Sequence, residues 1–164
     1  MKTKSGKKFS VLFVCLGNIC RSPLAEALFA KKIADLGLSN QITTDSCGTG
    51  NYHIGEQPDP RTCKVATNHG TPIHHRCRQL QLSDAEHFDM IIAMDESNRK
   101  NILWKIGDSG QPKVWKMRAF DPKGGEDVPD PYHGGDKDFE EVFQILDRCT
   151  NVLIEKIRKD NDLI

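Results

Sequence analysis

Val11-Leu12-Phe13-Val14-Cys15-Leu16-Gly17-Asn18-Ile19-Cys20-Arg21-Ser22-Pro23 is the stretch that decides how this chain folds. A β-branched apolar run ends at a cysteine. Five residues separate that cysteine from an arginine, and a Ser-Pro pair then opens a helical pattern. Phe9 to Val14 is almost unbroken in its apolar character, which suits a strand covered on both faces. From Pro23 to about Leu36, the residues Ala25, Leu28, Phe29, Ile33 and Leu36 recur at helical spacing. Pro23 fits the first turn of that helix and Gly37 its end. Strand, short loop and helix form the repeating unit of a parallel sheet.

The rest of the chain continues the alternation. Ile42 to Asp45 reads as a weaker second strand, and a Gly-rich loop from Gly48 to Gly55 leads to a helix over Pro60 to His69. Met90 to Met94 is a third strand. The next helix places Ile102, Leu103 and Ile106 on one face and stops at Gly107, and Val114 to Met117 is a short fourth strand. Gly, Pro and Asp dominate from Ala119 to Asp136, a loop long enough to suggest a function. A final helix carries one apolar stripe of Phe139, Val142, Phe143, Leu146, Cys149, Leu153 and Ile157, which reads as core. No internal repeat or domain boundary is visible. The expected fold class is α/β: one domain over residues 9–164, preceded by a flexible basic arm over residues 1–8.

Bulk properties exclude several classes. Lys plus Arg number 23 and Asp plus Glu number 23, so the basic excess of a nucleic-acid binder is missing. No apolar run approaches the roughly 18 residues that a membrane span requires. The lysines near the start are followed only by a strand-length apolar run, without the cleavage site of a signal peptide. Six cysteines are scattered with no Cys-x2-Cys pair, which argues against a secreted disulfide framework and for a reducing, cytoplasmic setting. His69, His74, His75, Cys63 and Cys77 match no common zinc ligand set, so no metal is expected.

Ligands of an open parallel sheet sit beyond the carboxyl ends of its strands. Cys15 lies at that end of the first strand, and the loops from Gly48 and from Ala119 should reach the same rim. A free thiol has a pKa of about 8.5, lowered to roughly 3.5–7.5 beside a cation or a helix N-terminus. Both are in prospect for Cys15. If the loop curls, its N–H groups and the helix start favour a phosphate dianion, and Arg21 can fork onto two of its oxygens. Gly17 permits close backbone approach, Asn18 tolerates a left-handed conformation, and the Ser22 hydroxyl can donate to the sulfur. Cys20 is either a resolving thiol for an oxidised Cys15 or a thiol packed at the helix start. Phosphate-ester cleavage also needs an acid. Asp121, Asp127, Asp130 and Asp136 are candidates, with Asp130 slightly favoured over Asp127 because Pro129 and Pro131 stiffen its loop. Tyr52 and Tyr132 fall on rim loops where they could sandwich a flat ring.

These residues resemble the low-molecular-weight protein tyrosine phosphatases. The resemblance covers nearly the whole chain: Val11 to Pro23, Ala25-Glu26-Ala27, Asp45-Ser46, Tyr52, Ile54-Gly55, His69-Gly70, Arg78-Gln79, Ala93 to Asn98, and Asp130-Pro131-Tyr132. It implies a four-stranded parallel sheet flanked by helices on both faces, with a phosphate-binding loop of Leu16, Gly17, Asn18, Ile19, Cys20 and Ser22 after the first strand. Cys15 would be the nucleophile, Arg21 would bind the phosphate, and Asp130 would be the general acid and base. Asn18, Ser22, Ser46 and His75 would hold the loop, and Tyr52 and Tyr132 would line the substrate pocket. The implied substrates are phosphotyrosine proteins and small aryl phosphates, the product is inorganic phosphate, no cofactor is needed, and a monomer or weak dimer is expected. Ile19 matches tyrosine-directed members, whereas phosphoarginine-directed relatives tend to carry Thr there. The chain departs at His133, where many members have a second tyrosine, and at Cys47 and Gly48.

Two other readings compete. An arsenate reductase on the same scaffold needs a further redox cysteine pair, and Cys77 has no such partner. A phosphotyrosine-binding module without catalysis would not need both Cys15 and Asp130. A nucleotide-binding loop fails for want of Gly-Lys-Ser/Thr.

Overall fold

The central strand β1 (Phe9–Cys15) is buried along its whole length. In the computed structural model, residues 6–163 are described. Of the basic arm expected over residues 1–8, residues 1–5 lie outside that range. Strand β1 lies between β2 (Ile42–Gly48) and β3 (Met90–Ala93), and β4 (Val114–Lys116) flanks β3. All pairings are parallel. Side chains alternate across the sheet. Phe9, Val11, Phe13 and Cys15 enter a larger core built with α1 (Arg21–Asp35), α2 (Pro60–Asn68) and α5 (Asp136–Asp160). Leu12 and Val14 enter a smaller one with Ile91, Ala93, Ile102 and Ile106. The short α3 (Asp84–His87) and then α4 (Glu96–Ile106) follow along the chain, and α4 supplies Ile102 and Ile106 to that second face. Burial from both sides is why β1 reads as an unbroken apolar run.

Several element bounds differ from expectation, each for a local reason. Helix α1 begins at Arg21, two residues before Pro23. Proline is tolerated there because first-turn amides have no intrahelical acceptor. Strand β2 continues past Asp45 through Ser46, Cys47 and Gly48, which pair with Phe13, Val14 and Cys15. Tertiary pairing overrides their turn-like character. Strand β4 ends at Lys116, and a 3-10 turn over Met117–Phe120 shortens the loop expected from Ala119. Asp136 already belongs to α5, whose N-cap is Gly135. Helix α2 ends at Asn68 with His69 as its cap. Leu103 is only half-buried, so the face of α4 that packs is Ile102 and Ile106. The stripe on α5 is buried at all seven expected positions. No helix among the described residues is long and apolar enough to cross a membrane.

The strand order β2-β1-β3-β4 fixes where a ligand can sit. The chain leaves β1 toward β2 on one side and returns to β3 on the other. That reversal opens a crevice at the carboxyl ends of β1 and β3. Cys15 ends β1, and Asp95 follows β3 as the N-cap of α4.

Candidate active site

The loop from Cys15 to Ser22 is held from outside by its own carbonyls. Cys15 and Leu16 accept from the amides of Thr49 and Gly50, each at 2.9 Å, and Ile19 accepts from the amide of Asp59 at 2.8 Å. The Asn18 carbonyl accepts from the Cys77 thiol at 2.9 Å. In a planar trans peptide the next N–H points opposite to the carbonyl. Outward carbonyls therefore leave the amides of Leu16, Gly17, Ile19 and Cys20 aimed into the loop, a concavity suited to an anion. Helix α1 adds its uncapped N-terminus. Gly48 makes this geometry possible, because a Cβ there would sit 2.6 Å from the Leu16 carbonyl oxygen.

Asn18 is the keystone of the loop. It is fully buried and adopts φ 58°, in the left-handed region. Its amide nitrogen donates to Ser22 Oγ at 2.8 Å and to Ser46 Oγ at 3.0 Å. Its oxygen accepts from the Arg78 amide at 3.0 Å and from His75 Nε2 at 2.7 Å. An amide oxygen can only accept, so Nε2 carries the proton. His75 Nδ1 then faces Glu26 Oε1 at 3.2 Å, and Ser46 Oγ donates to the same oxygen at 2.6 Å. Burial pushes the Glu26 carboxyl up to about 7, and burial lowers His75. Burial thus disfavours charge on both partners of this contact. Glu26, Asp45 and His75 bring ligand atoms within 4.8 Å of one another, and these atoms are engaged with one another and with Ser46 and Arg78. Asn18→Ala should cost about 3 kcal/mol in urea unfolding, since it strands buried partners and keeps a strained φ. Asn18→Gly should recover roughly 1 kcal/mol of that, because glycine accepts the left-handed conformation. Equal losses would show that the backbone strain contributes nothing.

Inside the loop, Cys15 Sγ lies 3.0 Å from Ser22 Oγ. Asn18 already donates to that hydroxyl, whose own proton has two acceptors within reach, the sulfur at 3.0 Å and the Cys47 carbonyl at 3.3 Å. The Arg21 side chain is 3% exposed. Its Nη1 donates to Asp95 Oδ2 at 2.7 Å and to the Val128 carbonyl at 2.9 Å. Burial opposes its charge, yet the facing Cys15, Asp95 and Asp130 outweigh burial and raise its pKa. Asp95 serves twice, since Oδ1 also caps α4 through the Asn98 amide at 2.7 Å.

The four candidate aspartates separate. Asp130 Oδ2 lies 3.8 Å from Arg21 Nη2, and Asp130 lines a cavity of about 430 Å³ together with Cys15 and Arg21. Asp127 is turned away, bound to Lys116 Nζ at 2.7 Å and to the Glu96 amide at 3.1 Å. Asp121 is buried between Arg118 and Arg148. Asp136 is exposed beside Lys64. The Asp130 loop is pinned at both ends: the Val128 amide donates to the Met94 carbonyl at 2.8 Å, and Arg61 Nη2 donates to the Tyr132 carbonyl at 2.9 Å.

Tyr52, Tyr132, Leu16, Gly17, Ile19 and Cys20 also line the cavity. So do two histidines. His133 packs edge-on against Tyr132 at 5.0 Å. His53, to which no role was given from sequence, stands over Gly17 with Nδ1 bonded to Glu56 at 2.8 Å. Cys20 is 5% exposed, and burial, aided by Asp59, pushes its thiol up to about 12. His75 and Cys77 support the loop, whereas His69 is stacked on Phe143 and bonded to Glu140.

A thiol, an inward ring of amides and a guanidinium at the carboxyl edge of a parallel sheet mark an α/β protein whose first loop is shaped to take an oxyanion beside a sulfur. The family model described as "Low molecular weight phosphotyrosine protein phosphatase" matches residues 10–163, and the chain belongs to that family. It is 43% identical over 149 residues to the human low molecular weight phosphotyrosine protein phosphatase, covering 90% of this chain and 94% of that one. The crystal structure of a protein tyrosine phosphatase from Entamoeba histolytica with Hepes in its active site superposes with a TM-score of 0.90 at 40% identity, covering 93% of this chain and 99% of that one. YfkJ from Bacillus subtilis superposes with a TM-score of 0.89 at 37% identity, covering 96% and 99% of the two chains.

Proposed function

We propose that this chain hydrolyses phosphotyrosine in proteins, and small aryl phosphates, through a cysteinyl-phosphate. The observation that carries this is the convergence of Cys15, Arg21 and Asp130 on one cavity. The phosphoryl group enters the loop, where the inward amides and Arg21 take its equatorial oxygens. Cys15 Sγ attacks phosphorus, an S–P bond forms and the P–O bond to the phenol breaks. Asp130 gives its proton to the leaving oxygen. A water then attacks phosphorus and yields a proton to the Asp130 carboxylate. The S–P bond breaks, the Ser22 hydroxyl supports the departing sulfur, and inorganic phosphate leaves. Tyr52 and Tyr132 flank the substrate ring, and Ile19 contributes an apolar wall.

Hydrolysis of p-nitrophenyl phosphate and free phosphotyrosine in the presence of a chelator tests this reading. Turnover of both is expected. Failure on both, with reduction of arsenate by the same preparation, would replace the phosphatase with the arsenate reductase reading; phosphotyrosine binding without turnover would replace it with the non-catalytic one.

The Cys20 position adds a redox expectation. Peroxide oxidises Cys15 to a sulfenic acid, and the Cys20 thiol displaces its hydroxyl as water to leave a disulfide. Only the thiolate attacks, and a thiol pushed up to about 12 offers little of it at neutral pH. Inactivation should therefore be reversed by dithiothreitol, with a Cys15–Cys20 bridge in the mass spectrum that accumulates faster as pH rises. Finding only sulfinic or sulfonic Cys15 would overturn the resolving role.

A further inference from the structure

A second depression adjoins the cavity just described. It holds about 250 Å³ and shares two of its walls, Leu16 and Tyr52, with that cavity. Leu80, buried at 3% exposure, belongs to it as apolar lining. Its far side is α4, where Asn101, Trp104 and Lys105 stand at i, i+3 and i+4 on one face. Trp104 is 86% exposed. What is informative is not the one exposed tryptophan but its grouping with Leu16, Tyr52 and Leu80 around a single depression. The partition between the depressions is the Tyr52 ring. Gly50 has no side chain because a Cβ would lie 2.5 Å from the Tyr52 ring, so the ring lies directly on the backbone. Tyr52 is 69% exposed and borders both depressions.

We propose that this depression is a docking subsite for the residue beside the phosphotyrosine in a peptide substrate, and that it selects a large apolar side chain there. The inference rests on the phosphatase reading and narrows its substrate class. The occupant follows from continuity. A chain whose phosphotyrosine fills the first cavity must leave over its rim, and Leu16 and Tyr52 form the rim shared with the second. One ring's thickness is crossed by one or two residues of extended peptide, at about 3.3–3.6 Å each. An aliphatic or aromatic side chain would then cover Leu16, the outer face of Tyr52 and the Trp104 indole, with Leu80 as the floor. Asn101 offers its amide to the peptide backbone, and Gln79, whose nitrogen already donates to the Thr49 carbonyl at 3.2 Å, offers its oxygen.

The test compares kcat/KM for three substrates: a peptide with Leu or Phe within two residues of the phosphotyrosine, the same peptide with Gly at those positions, and phosphotyrosine amide. The apolar peptide should exceed the glycine peptide by about tenfold, the scale of one apolar side chain partly removed from water. In Trp104→Ala that ratio should fall toward one, and in Trp104→Phe it should be largely kept. Hydrolysis of phosphotyrosine amide with no preference between the two peptides in the unaltered protein overturns the subsite while leaving the phosphatase reading intact. An unchanged ratio in Trp104→Ala overturns it equally. Absence of hydrolysis of all three substrates overturns the phosphatase reading on which it rests.

Discussion

Cys15→Ser should lower turnover of p-nitrophenyl phosphate by ~10⁴-fold or more, the scale of losing a nucleophile that acts in concert with other groups. Inorganic phosphate should still bind. The reason lies in how the loop is held. Its shape comes from Asn18, from the carbonyl bonds to Thr49, Gly50 and Asp59, and from Arg21 fixed by Asp95 and Val128. None of these bonds involves the sulfur. Cys15 Sγ touches the network only through Ser22 Oγ at 3.0 Å, and a serine hydroxyl replaces that contact. The anion site therefore outlives the nucleophile. Steady-state kinetics and calorimetric titration with phosphate, on a variant whose thermal melt matches the parent, separate the two functions. Turnover within tenfold of the parent would place the nucleophile elsewhere. Simultaneous loss of phosphate binding would make Cys15 a loop-holding residue rather than the attacking one.

The sequence carried the fold farther than it carried the support of the site. β1 and α1 were legible because their periodicity is strong and the residues between them have few other uses. The rule that ligands sit beyond the carboxyl ends of parallel strands then placed Cys15 on the rim without any knowledge of side chains. What stayed hidden depends on partners distant in sequence. Asp95 has no role in the sequence beyond its place in the stretch Ala93 to Asn98, and nothing local shows that it caps α4 with one oxygen and holds Arg21 across 74 positions with the other. Glu26 sits within an apolar-spaced helix and Arg78 in an irregular segment; each acquires its role through Ser46, His75 or Asn18 from elsewhere. The extension of β2 was hidden for the opposite reason. Asp45, Ser46 and Gly48 are locally turn formers, and only parallel pairing with β1 makes them strand. Helix α3 has four residues, too few for any period to show. The Trp104 groove was unreadable because an exposed tryptophan on a helix looks like one more core residue until the core is known.

Asp130→Ala should show its largest loss, about 10²–10³-fold in kcat/KM, with aryl phosphates whose phenols are weak acids. The loss should shrink as the leaving phenol becomes more acidic. A leaving phenolate of high pKa cannot depart without a proton, whereas an acidic one can. The loss therefore measures proton transfer itself, and a merely structural carboxyl would produce the same loss for every leaving group. The geometry singles out the oxygen from which Asp130 would give its proton. Asp130 Oδ1 accepts the Tyr132 amide at 3.1 Å. That bond turns Oδ2 toward the cavity, where it lies 3.8 Å from Arg21 Nη2. The carboxyl is thus oriented by its own turn and by the pinned Val128 and Tyr132 carbonyls, without being buried. Asp127 is the matched control. It is three residues away in the same loop and comparably exposed, but Lys116 and the Glu96 amide hold it outside the cavity. Asp127→Ala should leave the dependence of rate on leaving-group pKa as steep or as shallow as in the parent. If Asp127→Ala steepened that dependence and Asp130→Ala did not, the acid would be the aspartate that the fold turns away. The loop would then have to move on binding substrate, against both the Val128–Met94 bond and the Lys116–Asp127 ion pair that now hold it.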